Sequence, residues 1–174
     1  GRPDAPRARG LVDGRRDAGL ASPGVELGRG ATKGRAVKIL IFGSCGWVGS
    51  RLLAAWPDAT GTAARIEHPW EVALALDSAK PDAIVNAAGR VGIPNVDWCE
   101  NHVFETWRDN ATGPAALAAA CAERGVHLTH IGSGCVFSGP SPRTRAGLLD
   151  IGWHEDDTPN AGSLYARSKA AADL

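Results

Sequence analysis

The 174-residue chain contains no methionine, a single tyrosine and only three phenylalanines. Without methionine the chain as written has no initiator residue, and its last residues, "LYARSKAAADL", read as the interior of a helix, so a fragment is expected. Net charge is missing as well: 19 basic side chains balance 19 acidic ones, which leaves no electrostatic footprint for nucleic acid or an acidic membrane as partner. No apolar run approaches the ~20 residues of a membrane span, and the N-terminus lacks the short apolar core of a secretory signal. A cytoplasmic protein is expected. Four cysteines, Cys45, Cys99, Cys121 and Cys135, stand at unequal spacing that fits neither a disulfide framework nor a zinc pattern. His127 and His130 have unlike parity on a strand and face opposite sides, which excludes a shared metal. No metal site is expected.

What is present is ordinary for a globular domain, with 44 % apolar and 22 % charged residues. Residues 1–36 differ in kind. They carry Arg2, Arg7, Arg9, Arg15, Arg16, Arg29, Lys33 and Arg35 against Asp4, Asp13, Asp17 and Glu26, with many glycines and no sustained apolar period. Such a stretch buries too little surface to offset its ordering entropy, so a disordered segment is expected: a linker or upstream sequence not native to the domain, with a nucleic-acid-binding arm as the functional alternative.

Order begins at Val37. "VKILIFGSCGWVGSRLLAAW" reads as a strand to Phe42, a turn with Gly43, Gly46 and Gly49, and a helix with Val48, Leu52, Leu53 and Trp56 on one face. The spacing suits a dinucleotide: Gly43 makes the tight turn, Gly46 admits the pyrophosphate to the backbone, and Gly49 lets the helix approach the sheet. Trp47 and Val48, in the first turn, lie where the helix dipole meets the phosphates. Further on, the pattern predicts a helix over 69–79, a strand over 82–88, a long helical region over about 97–124, a strand over 126–133, a loop over 138–161 and a last helix from about Leu164. Strands alternating with helices imply an α/β fold, a Rossmann-like doubly wound parallel sheet over residues 37–174 with its ligand at the carboxyl ends of the strands.

Gly43-x-x-Gly46-x-x-Gly49, Asn86-Ala87-Ala88-Gly89, Ser133 and Tyr165-x-x-x-Lys169, in this order, resemble the extended short-chain dehydrogenase/reductase family. Within it, "NAAGRVGIPNVDWCENH", "GSGCVF" and "EDDTPNAGSLYARSK" are similar to the nucleotide-rhamnose synthase/epimerase-reductases, relatives of dTDP-4-dehydrorhamnose reductase. Other extended members, the GDP-fucose synthases and the NAD-dependent epimerase/dehydratases, and a non-catalytic dinucleotide-binding module are the alternatives. The resemblance implies a sugar nucleotide as substrate, epimerised beside a 4-keto group and then reduced at it. It also implies a C-terminal substrate domain before which this chain is truncated, so that the chain alone binds cofactor weakly at most and does not turn over.

The chemistry is coherent by itself. Reducing a ketone needs hydride at carbon and a proton for the developing alkoxide. A tyrosine hydroxyl, ordinarily titrating near 10, serves at neutral pH when a cation lies beside it; Lys169 follows Tyr165 at i+4, on the same helix face. Standing alone, Tyr-x-x-x-Lys is merely an amphipathic pattern. The resemblance makes Tyr165 the general acid, Lys169 its cation and a ligand of the nicotinamide ribose, and Ser133 the donor that orients the substrate oxygen. It also makes Cys135, where dehydratases carry an acidic pair, the acid/base for epimerisation; a thiol near 8.5 transfers protons reversibly close to neutrality. Asn86, Ala87, Ala88 and Gly89 are expected to line the adenosine side. Arg65, at the end of the second strand, suits the 2′-phosphate of NADP, whereas Glu67 nearby leaves NAD open.

Overall fold

The computed structural model describes residues 35–141, 144–145, 148–149 and 152–173. Of the segment expected to be disordered, residues 1–34 lie outside the described residues; Arg35 is described and its guanidinium pairs with Asp82 at the foot of the sheet.

Four parallel strands form the sheet: β1 (Ile39–Phe42), β2 (Thr60–Thr62), β3 (Ala83–Asn86) and β4 (His127–His130), in the order β2-β1-β3-β4. β1 is buried on both faces, with Leu40, Ile41 and Phe42 all nearly inaccessible, which is why "ILIF" reads as a continuous apolar run. Leu40, Phe42 and Ile84 point to one face and pack with Val72 and Leu76 of α2 (Pro69–Ala79) and with Leu117 and Cys121 of α4 (Gly113–Glu123). Each such large side chain removed from water contributes about 1.5–3 kcal/mol. Ile41 and Val85, of opposite parity, face the other side, and α1 (Trp47–Ala55) packs on β1 and β2. α1 is buried only at Gly49; the expected face of Val48, Leu52 and Leu53 is half-buried and Trp56 is exposed.

From β2 the chain crosses over β1 through α2 and arrives at β3. β1 and β3 therefore leave the sheet in opposite directions of winding, and the crevice between their carboxyl ends is the topological switch point at which open α/β sheets bind ligands.

The helical region expected over 97–124 is helical but divided into several turns. A 3₁₀ turn (Val96–Asn101), capped by the Asn95 side chain accepting from the Asp97 N–H at 2.9 Å, leads to α3 (Val103–Trp107), then a π turn (Arg108–Thr112), then α4. The π turn follows from Pro114, which has no N–H to donate and whose ring crowds the carbonyl four residues back. The wider turn relieves the crowding: the Gly113 N–H reaches back five residues to the Arg108 carbonyl, and Thr112 Oγ1 donates to the same oxygen at 3.2 Å. The expected loop over 138–161 contains a short antiparallel ribbon, β5 (Thr144–Arg145) with β6 (Leu148–Leu149). α5 (Leu164–Asp173) closes the chain against the 3₁₀ turn, the π turn and a further 3₁₀ turn, Gly134–Val136.

Candidate active site

The glycine turn stands where β1 ends. Gly43 has a φ of +71°, and a Cβ there would lie 2.5 Å from the Ala88 nitrogen; a Cβ on Gly49 would lie 2.3 Å from the Gly43 oxygen. The turn is thus pressed against the backbone that follows β3 on one side and against α1 on the other, and only glycine fits either place. Gly46 is different. It is exposed, it begins α1 with no side-chain cap, and no acidic residue stands in the first turn of that helix, so the N–H groups there remain directed at a cleft. Gly43, Gly46, Ala63, Ala87, Gly89 and Arg65 line this cleft of about 560 Å³.

Gly89, on the cleft wall, lies against α5. The Lys169 ammonium lies 3.8 Å from where a Cβ on Gly89 would stand. The lysine is 4 % exposed and donates from Nζ to the Ile131 carbonyl, just past β4, at 3.0 Å. Burial pulls its proton affinity below the ordinary lysine value, and the Asp173 carboxylate partly counters this. Asn110, fully buried in the π turn, ties the same region together: Oδ1 accepts from the Arg90 N–H at 2.6 Å, while Nδ2 donates to the Arg90 carbonyl at 2.9 Å and to Ser168 Oγ at 3.2 Å. Ser133 caps the Gly134–Val136 turn by accepting from the Cys135 N–H at 3.2 Å, which leaves its own proton to donate. Because α5 packs on that turn, Tyr165, Lys169, Ser133 and Cys135 belong to one region; Cys135 is exposed with a free thiol, and Tyr165 is half-buried.

Other expected positions lie off the cleft. Trp47 is 72 % exposed with the Arg51 guanidinium 3.9 Å from its ring centroid, and Val48 and Gly49 support α1. Asn86 lines nothing: it is fully buried, with Oδ1 accepting from the Ala88 N–H and Nδ2 against His130 Nδ1, both at 3.0 Å. Ala88 does line the cleft. Glu67 lines it too, paired with the Arg65 guanidinium. Cys99 and Cys121 are buried packing residues, as their helical settings suggest. Among the described residues no cluster of side chains could hold a metal ion, and no helix is long and apolar enough to cross a membrane.

Several side chains of the site escape sequence reasoning. Asp109 is buried beside the cleft and accepts from Arg90 Nε and Arg108 Nε, each at 2.7 Å. Burial alone would raise its pKa, but the hydrogen bonds from Arg108 and Arg90 more than offset this and hold it below the usual carboxylate range. The Arg90 guanidinium also lies 5.5 Å from the ring centroid of Trp98, another lining residue. The available signal was "DNATGP": three short polar residues and a Gly-Pro inside an apolar helical pattern, where they are poor helix formers.

Comparison with known proteins agrees with this architecture. The bifunctional dTDP-4-dehydrorhamnose 3,5-epimerase/dTDP-4-dehydrorhamnose reductase of Arabidopsis thaliana is 39 % identical over 140 residues, which are 77 % of this chain and 46 % of that protein. The L780 UDP-rhamnose synthase of Acanthamoeba polyphaga mimivirus superposes with a TM-score of 0.68 at 32 % identity, covering 79 % of this chain and 50 % of that one. The dTDP-4-dehydrorhamnose reductase of Bacillus anthracis, solved in complex with NADP, shares the fold with a TM-score of 0.69 at 23 % identity over 80 % of this chain and 49 % of its own. The chain spans half or less of the length of these relatives. The profile of the RmlD substrate binding domain matches residues 37–173, and the chain belongs to that family.

Proposed function

We propose that the chain is the dinucleotide-binding part of a sugar-nucleotide reductase that uses NADPH to reduce a 4-keto-6-deoxyhexose nucleotide, with epimerisation of the neighbouring carbons on the same site. The observation that supports this most is the meeting of Lys169 with Gly89: the cation one helical turn after Tyr165 stands beside a glycine that lines the cleft opened by the glycine turn. The residues fit a nicotinamide dinucleotide. Gly46 leaves the start of α1 open to a pyrophosphate, and the half-exposed guanidinium of Arg65 at the cleft suits a 2′-phosphate. NADPH is therefore expected ahead of NADH.

When bound, the dinucleotide supplies the hydride that adds to carbon 4. Tyr165 gives its phenolic proton to the alkoxide oxygen as it forms, and the Lys169 ammonium stabilises the phenolate that remains. Ser133 donates to the same substrate oxygen and fixes its direction. Cys135, exposed at the turn that α5 packs upon, withdraws and returns a proton at a carbon beside the ketone, which is acidic because the carbonyl delocalises the resulting charge.

The test uses a protein that joins this chain to a C-terminal part like that of its relatives. NADPH oxidation dependent on a 4-keto-6-deoxy sugar nucleotide is expected, and Tyr165→Phe should lose at least ~10²-fold in turnover. Unchanged turnover in that variant would remove Tyr165 from the mechanism, and tight NADPH binding with no reduction of any keto sugar nucleotide would overturn the reading as a whole.

A further inference from the structure

Behind Lys169, on the strand side, stands His130, whose ring bridges Asn86 and the lysine. Asn86 and His130 are register partners on β3 and β4. The Asn86 amide has one permitted orientation, because Oδ1 accepts the Ala88 N–H at 3.0 Å, and turning the amide over would set two donors against each other. Nδ2 therefore faces His130 Nδ1 at 3.0 Å, and that ring nitrogen must accept. A neutral imidazole that accepts at Nδ1 carries its proton at Nε2. Nε2 is the atom turned towards Lys169 Nζ, 3.4 Å away. A donor thus faces the ammonium, whose own hydrogen bond goes to the Ile131 carbonyl at 3.0 Å.

We propose that His130, locked by Asn86 as its Nε2–H tautomer, is a positioning residue for Lys169: it opposes the ammonium from the strand side, turns Nζ onto the Ile131 carbonyl and towards Gly89, and sets the pH above which the lysine ceases to act as a cation. The inference rests on the reading of Lys169 as the cation beside Tyr165. His130 does not relay protons, because the group behind it is an amide that is fully buried and has no proton to exchange at neutral pH. An imidazolium is opposed from both sides, by the Asn86 amide hydrogen at Nδ1 and by Lys169 at Nε2. Burial and the Lys169 charge hold the imidazole below its ordinary range, and Asp173 acts the other way on both groups. Of the other charged groups on the elements packed against α5, which include Asp97, Glu105 and Arg108, Glu100 accepts the Leu164 N–H at 2.6 Å and Asp109 is held by Arg90 and Arg108.

The experiment is heteronuclear NMR on the chain itself, following the imidazole nitrogens of His130 and the side-chain Cε and Nζ of Lys169 through a pH titration. The expected result is a His130 whose midpoint lies below that of free histidine and whose neutral form carries its proton on Nε2, and a Lys169 midpoint below that of free lysine. His130→Phe keeps a ring and removes the donor, so the Lys169 midpoint should rise by about half a unit or more. Asn86→Asp accepts a proton from Nδ1, reverses the tautomer and should also raise it. A proton on Nδ1 in the unsubstituted protein, or a Lys169 midpoint that does not move in His130→Phe, overturns the proposal. If His130→Phe does not fold, the tautomer of the unsubstituted chain and the Asn86→Asp titration decide. These readouts need no turnover, so failure of the reductase reading is seen separately, in the Tyr165→Phe assay.

Discussion

Gly46 and Gly49 lie three residues apart in one motif, yet their surroundings give them different work. A Cβ on Gly49 would sit 2.3 Å from the Gly43 oxygen, a backbone atom that cannot swing aside, whereas a Cβ on Gly46 would sit 3.2 Å from that same oxygen at an exposed position. Gly49→Ala should therefore lower stability by about 2 kcal/mol or more through overpacking. Gly46→Ala should stay within about 1 kcal/mol of the parent, while losing roughly tenfold or more in NADPH affinity, since the added methyl stands where a pyrophosphate approaches the helix. Denaturation midpoints and a fluorescence titration with NADPH measure both. Equal cofactor affinity in Gly46→Ala would remove the phosphate role from this glycine.

The π turn decides the site at the level of elements. By widening the helix before Pro114 it brings Asn110 inward, where its amide ties the loop after β3 to α5 through Arg90 and Ser168. α5 carries Tyr165 and Lys169, so the seating of both depends on a residue more than fifty positions earlier. Asn110→Ala leaves the Arg90 N–H and carbonyl without those partners. It should cost about 2–3 kcal/mol, seen as a melting temperature lower by roughly 5–10 °C. In the extended protein it should also reduce turnover more than it weakens NADPH binding, because the glycine turn is untouched. A melting temperature equal to that of the parent would show that α5 is seated by other contacts.

For the whole molecule, three ionisable groups, buried Lys169 and Asp109 and half-buried His130, contribute to the response to acid and alkali. His130 and Lys169 are both held below their ordinary values, first by burial, so between the folded and unfolded values of each the unfolded chain binds more protons and stability rises with pH. For His130 this means stability complete above its unfolded value of about 6.5 and falling as the pH drops from there towards its folded value. Lys169 adds a rise on the alkaline side, ending near the unfolded lysine value of about 10.4. Asp109 is also held low, so its contribution is present above about 3.9 and is lost as the pH falls through its folded value. Denaturant midpoints should thus fall from pH 7 to pH 5.5, and His130→Phe should flatten that first step; a pH-independent midpoint over this range in the unsubstituted chain would contradict it.

The parallel α/β architecture, the glycine turn and the Tyr165–Lys169 pair were legible in the sequence, because each is written locally: a buried strand as an unbroken apolar run, a tight turn as glycines at fixed spacing, a shared helix face as i and i+4. α2 was read to the residue, 69–79, since Pro69 marks its first turn and Lys80 ends it in a left-handed conformation. The region over 97–124 was legible as helical but its division was not, because the π turn depends on how one proline's missing N–H is compensated. Asn86 was read as lining the adenosine side of the cofactor and His130 only as a strand residue; strand register alone sets the two side by side in the interior, with α5 then bringing Lys169 to the ring. By itself the sequence determined which backbone turns and helix faces exist, since these follow from steric rules acting over a few residues. Tertiary structure alone decided which polar groups meet in the interior, because the Asn86–His130–Lys169 and Arg90–Asn110–Ser168 contacts join parts of the chain up to 58 residues apart and arise only when the sheet and α5 pack together.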